Sequence, residues 1–309
     1  MRYKSLAAVF LILMSVAISL CGCNKTTRKR GSMLNIVATT SMIADAVRTI
    51  AGDKVHLVAL MGPGVDPHSY KPTKGDMDRL GEADIVFFNG LFLEAKMAEM
   101  LKKMGRSRAT VAAGEAIPDS LRCYPSEFEG HPDPHVWFDM SLWQRVVDTI
   151  GTVLELRDKT NAEWYRANRS AFIDSLNELH NWVGSQVGLI DSAHRVLVTA
   201  HDAFGYFGRA YDIEVEGLQG ISTVTEAGLY DVTKMVDMIV SRRIKAVFVE
   251  SSVPRKSIEA VVEGCRSQGH DVVIGGELYS DAMGEPGTEE GTYFGMVRHN
   301  VRTIVEALR

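Results

Sequence analysis

The chain has 309 residues, of which 46% are hydrophobic and 24% are charged, and these proportions are typical of a soluble globular protein. Its formal net charge is −5, and because the six charged residues in 1–30 are all basic, the rest of the chain carries −11. An acidic body of this kind argues against nucleic acid as a partner. The length is sufficient for two modest domains, each with its own core.

The first 23 residues have the composition of an export signal. The apolar run at 5–20 follows two basic residues, and it is short for a membrane span of roughly 20 residues. Cys23 follows a glycine and resembles the lipidated cysteine of a bacterial lipobox, whereas Cys21 fits that pattern less well. The polar, basic residues 24–33 are interpreted as a tether near an anionic lipid surface. The alternative interpretation is an uncleaved membrane anchor.

Alternating strand and helix patterns in the first half of the chain predict a parallel sheet covered by helices. A long irregular stretch, residues 114–134, ends this series. The predicted strands are 34–39, 55–60, 85–89 and 109–113, and the predicted helices are 41–50, 74–82 and 93–104.

The longest helical pattern lies between the two halves, at residues 161–190. Phe172, Leu176 and Leu179 recur at intervals of three or four residues, as expected for one buried helix face. A helix of this length would span roughly 40–45 Å at 1.5 Å per residue, which is enough to run along two domains and join them. A shorter helix is predicted before it, at 142–156.

The second half repeats the alternation of strands and helices. We therefore predict an α/β protein of two lobes, each a four-stranded mainly parallel sheet flanked by helices, joined by one long rigid helix. The lobes are assigned to 34–160 and 191–309, on either side of the linking helix. The predicted strands are 195–200, 213–217, 246–250 and 271–275, and the predicted helices are 203–210, 226–243, 255–268 and 292–308.

Four side chains share the same kind of position, at the end of a predicted strand or in the loop beyond it. Asp-Pro-His occurs twice, ending at His68 and His135, while His201 ends a strand and Asp281 lies in a late loop. In open α/β sheets, binding sites form at the carboxyl ends of the strands. Neutral imidazole and carboxylate groups bind zinc and similar cations. The pattern predicts a single metal site, although each Asp-Pro-His could also be a plain turn.

The other candidate chemistries have little support. No GxSxG, HExxH or P-loop motif is present, so the common hydrolase and nucleotide-binding signals are missing from the sequence. His131 is interpreted as an exposed loop residue, and Cys123 and Cys265 as two separate thiols. The histidines without a predicted role are His56, His180, His194, His270 and His299.

Several segments resemble one family of proteins. They are 64–70, 89–91, 133–139, 199–204 and 280–284, spread over almost all of residues 34–309. In these segments the chain is similar to the metal-binding solute receptors of ABC importers, the TroA-like zinc and manganese lipoproteins. The resemblance implies two lobes joined by one rigid helix, and metal-ligand roles for His68, His135, His201 and Asp281.

The resemblance also implies a function. We expect a monomeric receptor, not an enzyme, that is exported to the periplasm or held at the membrane by a lipid on Cys23. It would capture one Zn²⁺ or Mn²⁺ per chain, with Fe²⁺ less favoured, and deliver it to an ABC permease. The alternatives are a secreted metallohydrolase with Glu250 as base, and an adhesion or scaffold lipoprotein with a structural metal.

The identity of the metal is left open by the sequence. Three imidazoles and one carboxylate favour zinc on ligand softness. Residues 114–130 contain no histidine, unlike the histidine-rich loop of many dedicated zinc receptors. Manganese receptors of the family typically have glutamate in place of His201. Release of the metal is expected to come from movement of the glycine-containing loop 276–291, because the linking helix has no internal proline.

Overall fold

The computed structural model describes residues 33–128 and 130–309. The predicted export signal, Cys23 and nearly all of the predicted tether lie outside these ranges. Within the described ranges, no helix is both long enough and apolar enough to cross a membrane. Leu34–Arg309 form one compact unit. Below, the first half means residues 34–160 and the second half means residues 191–309.

The first half contains the predicted four-stranded parallel sheet. Its strand order is β2-β1-β3-β4, with Ile36 of the central strand paired to Leu57 on one side and Ile85 on the other. The strands are β1 Leu34–Ala38, β2 Val55–Ala59, β3 Ile85–Phe88 and β4 Ala109–Ala112, and the helices are α1 Ser41–Ala51, α2 Lys74–Glu82, α3 Ala98–Met104 and α4 Met140–Arg157.

One predicted helix is shorter than the sequence suggested. Helix α3 begins only at Ala98, whereas the pattern predicted a start at residue 93. The reason is the buried Glu94 carboxylate, which accepts backbone N–H groups of Asn89 and Gly90 at 2.8 and 3.0 Å. These bonds hold the chain in a tight turn before the helix, with Phe92 in the left-handed region at φ 71°.

The long helix between the halves is confirmed as α5, Ala162–Val187. It buries Phe172, Leu176, Leu179 and Val183, the face that the sequence predicted.

Helix α5 is bonded to both halves of the chain. Asn168 donates to the Ile50 carbonyl at the end of α1 at 2.9 Å. His180 Nδ1 lies 2.9 Å from the Tyr211 hydroxyl in the second half. The helix is therefore bonded to one half near its start and to the other near its end.

The second half contains four strands and four helices. Its strands form two parallel pairs, β5–β6 and β7–β8, and β5 packs beside β7. The Glu250 side chain links the two pairs at the carboxyl ends of the strands. Its carboxylate accepts the backbone N–H of His201 at 2.8 Å. The strands are β5 Val196–His201, β6 Glu214–Gln219, β7 Ala246–Glu250 and β8 Val273–Leu278, and the helices are α6 Gly205–Tyr211, α7 Leu229–Arg242, α8 Lys256–Ser267 and α9 Tyr293–Leu308.

Aromatic pairs join the cores of the two halves. Trp143 of α4 stacks on Tyr293 of α9 with ring centroids 5.5 Å apart. Phe138 stacks on Phe204 at 4.4 Å. All four rings belong to one continuous buried cluster that also includes the inner face of α5. Cys123 and Cys265 are free, so the prediction of two separate thiols is confirmed.

The buried face of α5 leads to a stability prediction. Replacing Leu176, which is fully buried, with alanine removes several methyl and methylene groups from the core and should lower the free energy of unfolding by about 2–5 kcal/mol. Glu178→Ala, on the exposed face of the same helix, should change it by no more than about 0.5 kcal/mol. Urea unfolding followed by circular dichroism measures both, and equal losses would contradict the assigned face.

Candidate metal centre

The four residues that the sequence singled out meet at one buried point. His68 lies in the loop after β2, His135 precedes the turn Val136–Phe138, His201 ends β5 and Asp281 follows β8. Each is at least 98% buried. One ligand atom from each of the four lies within 4.8 Å of the others.

The separations between these atoms suit a small cation. His68 Nε2 lies 3.3 Å from His135 Nε2. Asp281 Oδ1 lies 3.3 Å from His135 Nε2, while Oδ2 lies 3.3 Å from His201 Nε2 and 3.8 Å from His68 Nε2. Ligand atoms bound tetrahedrally at roughly 2.0–2.1 Å from a metal lie about 3.3 Å apart. The cluster can therefore hold one metal ion.

The buried carboxylate of the cluster points to the same conclusion. The Asp281 oxygens face the imidazole nitrogens of His68, His135 and His201 at 3.3–3.8 Å. Burying a charge is unfavourable unless it is compensated, and a cation among these atoms would compensate for it.

Two further carboxylates orient the histidines from behind. Asp133 Oδ1 lies 2.7 Å from His135 Nδ1 and accepts the His135 backbone N–H at 2.9 Å. Glu250 Oε2 lies 2.5 Å from His201 Nδ1, and its Oε1 accepts the His201 N–H. Each carboxylate keeps the proton on Nδ1 and leaves Nε2 free to bind a metal.

Sequence reasoning gave no orienting role to these two carboxylates. Asp133 belongs to an Asp-Pro-His motif, and a carboxylate two residues before a histidine is a usable signal for such a role. The metallohydrolase alternative gives Glu250 the role of a catalytic base. Its distance of 49 residues from His201 leaves no local pattern that could have revealed the contact.

The charges around the site shift the pKa values of its members. Burial lowers the pKa of His135 and His201, but the carboxylates outweigh it. Asp133 raises the pKa of His135 to about 9, and Glu250 raises that of His201 well above its usual range. Burial lowers the pKa of His68 to about 4. Burial alone would raise the pKa of Asp281, but the neighbouring histidines, His201 first, hold it well below its usual range.

The Asp281 segment is held on both sides of the ligand. Trp137 Nε1 donates to the Ser280 carbonyl at 3.0 Å, and the Met283 N–H donates to Ser41 Oγ at 3.0 Å. Residues 280–284 are buried, and only 285–289 form an exposed stretch. The predicted release through loop 276–291 stays a prediction.

The remaining histidines lie outside the cluster. His131 is exposed, as predicted, and stacks on the Phe92 ring at 4.0 Å. Trp137 packs against the site, with its ring 5.3 Å from that of His135. The other histidines are exposed or hydrogen-bonded elsewhere: His56, His180, His194, His270 and His299.

Known proteins that are similar to this chain are named as metal-binding proteins. The chain is 47% identical to the manganese-binding lipoprotein MntA of Bacillus subtilis, with both chains fully covered. It is 29% identical to the manganese ABC transporter substrate-binding lipoprotein PsaA of Streptococcus mitis, with 99% of each covered. The solved structure of the periplasmic zinc-binding protein TroA from Treponema pallidum matches with a TM-score of 0.88 and 47% identity, over 90% of this chain and 99% of that one.

The family comparison covers most of the chain. A family model described as "ZnuA: Zinc-uptake complex component A periplasmic" matches residues 36–307. The solved TroA structure shares the arrangement of two α/β lobes with a long helix between them. The chain therefore belongs to the family of zinc-uptake complex component A periplasmic proteins.

Proposed function

We propose that the protein captures one divalent transition-metal ion, Zn²⁺ or Mn²⁺, and delivers it to the permease of an ABC importer. The ligands are His68, His135, His201 and Asp281. The observation that carries the proposal is the convergence of four buried donor groups from four separate segments, with both Asp281 oxygens facing imidazole nitrogens. The names of the related proteins, which describe metal-binding lipoproteins of transporters, support it.

The donor set supports both metals. Three imidazole nitrogens suit zinc. The Asp281 carboxylate, however, directs Oδ1 towards His135 and Oδ2 towards His201, so both oxygens face the centre. A carboxylate that offers two oxygens raises the number of donors to five, and additional oxygen donors suit Mn²⁺.

The site is built to hold an ion, and we infer that the protein is not an enzyme. The metallohydrolase alternative required Glu250 as a base. Both oxygens of that carboxylate face His201, one towards the backbone N–H and one towards Nδ1. This alternative is therefore not supported. Neither is the adhesion or scaffold alternative, because relatives are named as substrate-binding lipoproteins of a manganese ABC transporter.

The place of action follows from the amino terminus. We propose that the chain is exported and that a lipid on Cys23 anchors it, as a monomer, at the membrane that holds the permease. The polar residues 24–33 then form the tether.

Removal of single ligands tests the proposed site. Alanine in place of His68, His135, His201 or Asp281 should each weaken metal binding by more than the roughly 10–100-fold that loss of an orienting partner causes. Calorimetric titration with Zn²⁺ and Mn²⁺ measures the affinity and should give one ion per wild-type chain. His131→Ala serves as the control and should keep full affinity, because His131 is exposed and outside the cluster. Wild-type affinity in two of the four variants would show that the assigned ligand set is wrong.

The orienting role of Glu250 has its own test. Glu250→Gln weakens the hold on His201 Nδ1 and should lower metal affinity by roughly 10–100-fold. Glu263→Gln changes an exposed carboxylate paired with Arg266 and should have no effect. The same titration compares the two, and unchanged affinity in Glu250→Gln would contradict the role.

The pKa values predict how binding depends on pH. His135, with its pKa raised to about 9, and His201, raised well above its usual range, are protonated at neutral pH without metal. A metal must displace these protons, so affinity should still rise between pH 7 and pH 9. Unperturbed histidines, with pKa values near ~6.5, would place the loss of affinity below about pH 6.

Calorimetry in buffers of different ionisation enthalpy measures this effect directly. At pH 7 the binding of one ion should release close to two protons, because His68, with its pKa lowered to about 4, is already neutral. An affinity that is constant from pH 7 to pH 9, with no proton released, would exclude the charge state assigned to His135 and His201.

A further inference from the structure

Among the four ligand segments, the turn that carries His68 is held differently from the others. The Asp66 carboxylate accepts the His68 backbone N–H at 2.8 Å through Oδ1, and the Ser69 hydroxyl at 2.6 Å through Oδ2. The same Oδ2 accepts the hydroxyl of Thr223, which lies 157 residues away in the second half, at 2.7 Å. One carboxylate oxygen is thus shared by a bond within the turn and a bond across the cleft between the first and second halves of the chain.

The cross-cleft bond has no counterpart nearby. In the described part of the chain, Thr223 supplies the one hydrogen bond between residues 62–73 and the second half. Gly64 also lies close to the backbone carbonyl of Ser251 in the second half. Without Thr223, packing and the ion-pair contact of His68 with Asp281 would be what holds the turn against the second half.

The orientation of the His68 ring depends on the backbone around it more than the orientations of the His135 and His201 rings do. His135 and His201 each have a carboxylate beside Nδ1, which fixes the ring directly. The bonds and ion pairs of His68 in the described structure involve its backbone N–H and Nε2, and none involves Nδ1. The direction of the His68 ring is therefore set by the turn, and the turn is fixed by Asp66.

Thr223 itself belongs to a segment that faces solvent. Residues 220–228 connect β6 to α7 and form neither helix nor strand. Just beyond them, Leu229 and Tyr230 are 83% and 78% exposed. A hydrogen bond to a charged carboxylate is stronger than one between neutral groups, so the bond to Asp66 restrains this exposed segment as well as the turn.

We propose that Thr223 is a positioning residue for the captured ion: it holds the His68 turn closed across the cleft and slows release of the metal. This role rests on the proposed function. The bond between Asp66 and Thr223 restrains the His68 turn and residues 221–228 alike. An ion bound to His68 therefore also orders residues 221–228 through this bond.

The test compares two threonines of the same segment in the full-length protein. Thr223→Val removes the hydroxyl and keeps the shape of the side chain, and Thr225→Val makes the same change at an exposed position with no bond to Asp66. Thr223→Ser keeps the hydroxyl. The measured quantity is the rate at which Zn²⁺ leaves the protein for an excess of a chromophoric chelator in a stopped-flow instrument. Thr223→Val should release Zn²⁺ roughly tenfold faster, since a hydrogen bond to a charged group is lost. Thr225→Val and Thr223→Ser should release it at the wild-type rate.

A second measurement separates positioning from a general loss of stability. Zn²⁺ should slow amide hydrogen exchange in residues 221–228 of the wild type, and Thr223→Val should abolish this slowing while exchange in helix α5 stays as slow as in the wild type. Equal release rates in Thr223→Val and wild type would overturn the role, as would equal acceleration by Thr225→Val. Failure of the wild-type protein to bind Zn²⁺ would instead overturn the proposed function.

Discussion

Burial of the Asp281 carboxylate is the constraint on which the rest of the site depends. A charged group in the interior requires compensation by opposite charge. The protein surrounds Asp281 with three imidazoles from three other segments, and it fixes the carboxylate by bonds on either side, at Ser280 and Met283. These segments come from both halves of the chain, so the halves must close against each other for the charge to be balanced.

The three carboxylates around the site explain why protons and metal can exchange there. The carboxyl groups of Asp133, Glu250 and Asp281 face the two protonated histidines of the buried cluster. A divalent cation that replaces those two protons leaves the same charge. The exchange of two protons for one metal ion therefore leaves the formal charge of the interior unchanged. This allows a buried site to bind and release the ion reversibly. The raised pKa values of His135 and His201 have the same cause, because the surrounding carboxyl groups stabilise positive charge at this point.

The sequence predicted the features that depend on local patterns and missed those that depend on distant contacts. The spacing of Phe172, Leu176 and Leu179 was sufficient for the buried face of α5, and strand ends were sufficient to bring the four ligand candidates together. The role of Glu250 could not be seen, because only packing of β5 beside β7 brings it to His201. The late start of α3 was missed for a related reason, since the Glu94 side chain binds the backbone of its own turn instead of continuing the helix.

The linking helix limits how an ion can leave. It is bonded to α1 through Asn168 and to α6 through His180, and the Trp143–Tyr293 stack joins the halves beside it. Opening the halves as rigid bodies would disrupt this continuous core, whereas movement of a single ligand turn would disturb only a few contacts. The segments differ in how firmly they are held, because His135 and His201 have carboxylates behind them and Asp281 is bonded on both sides. The His68 ring has no such bond at Nδ1 in the described structure. A receptor with a rigid core can therefore regulate release of the ion through movement of the turn that carries His68.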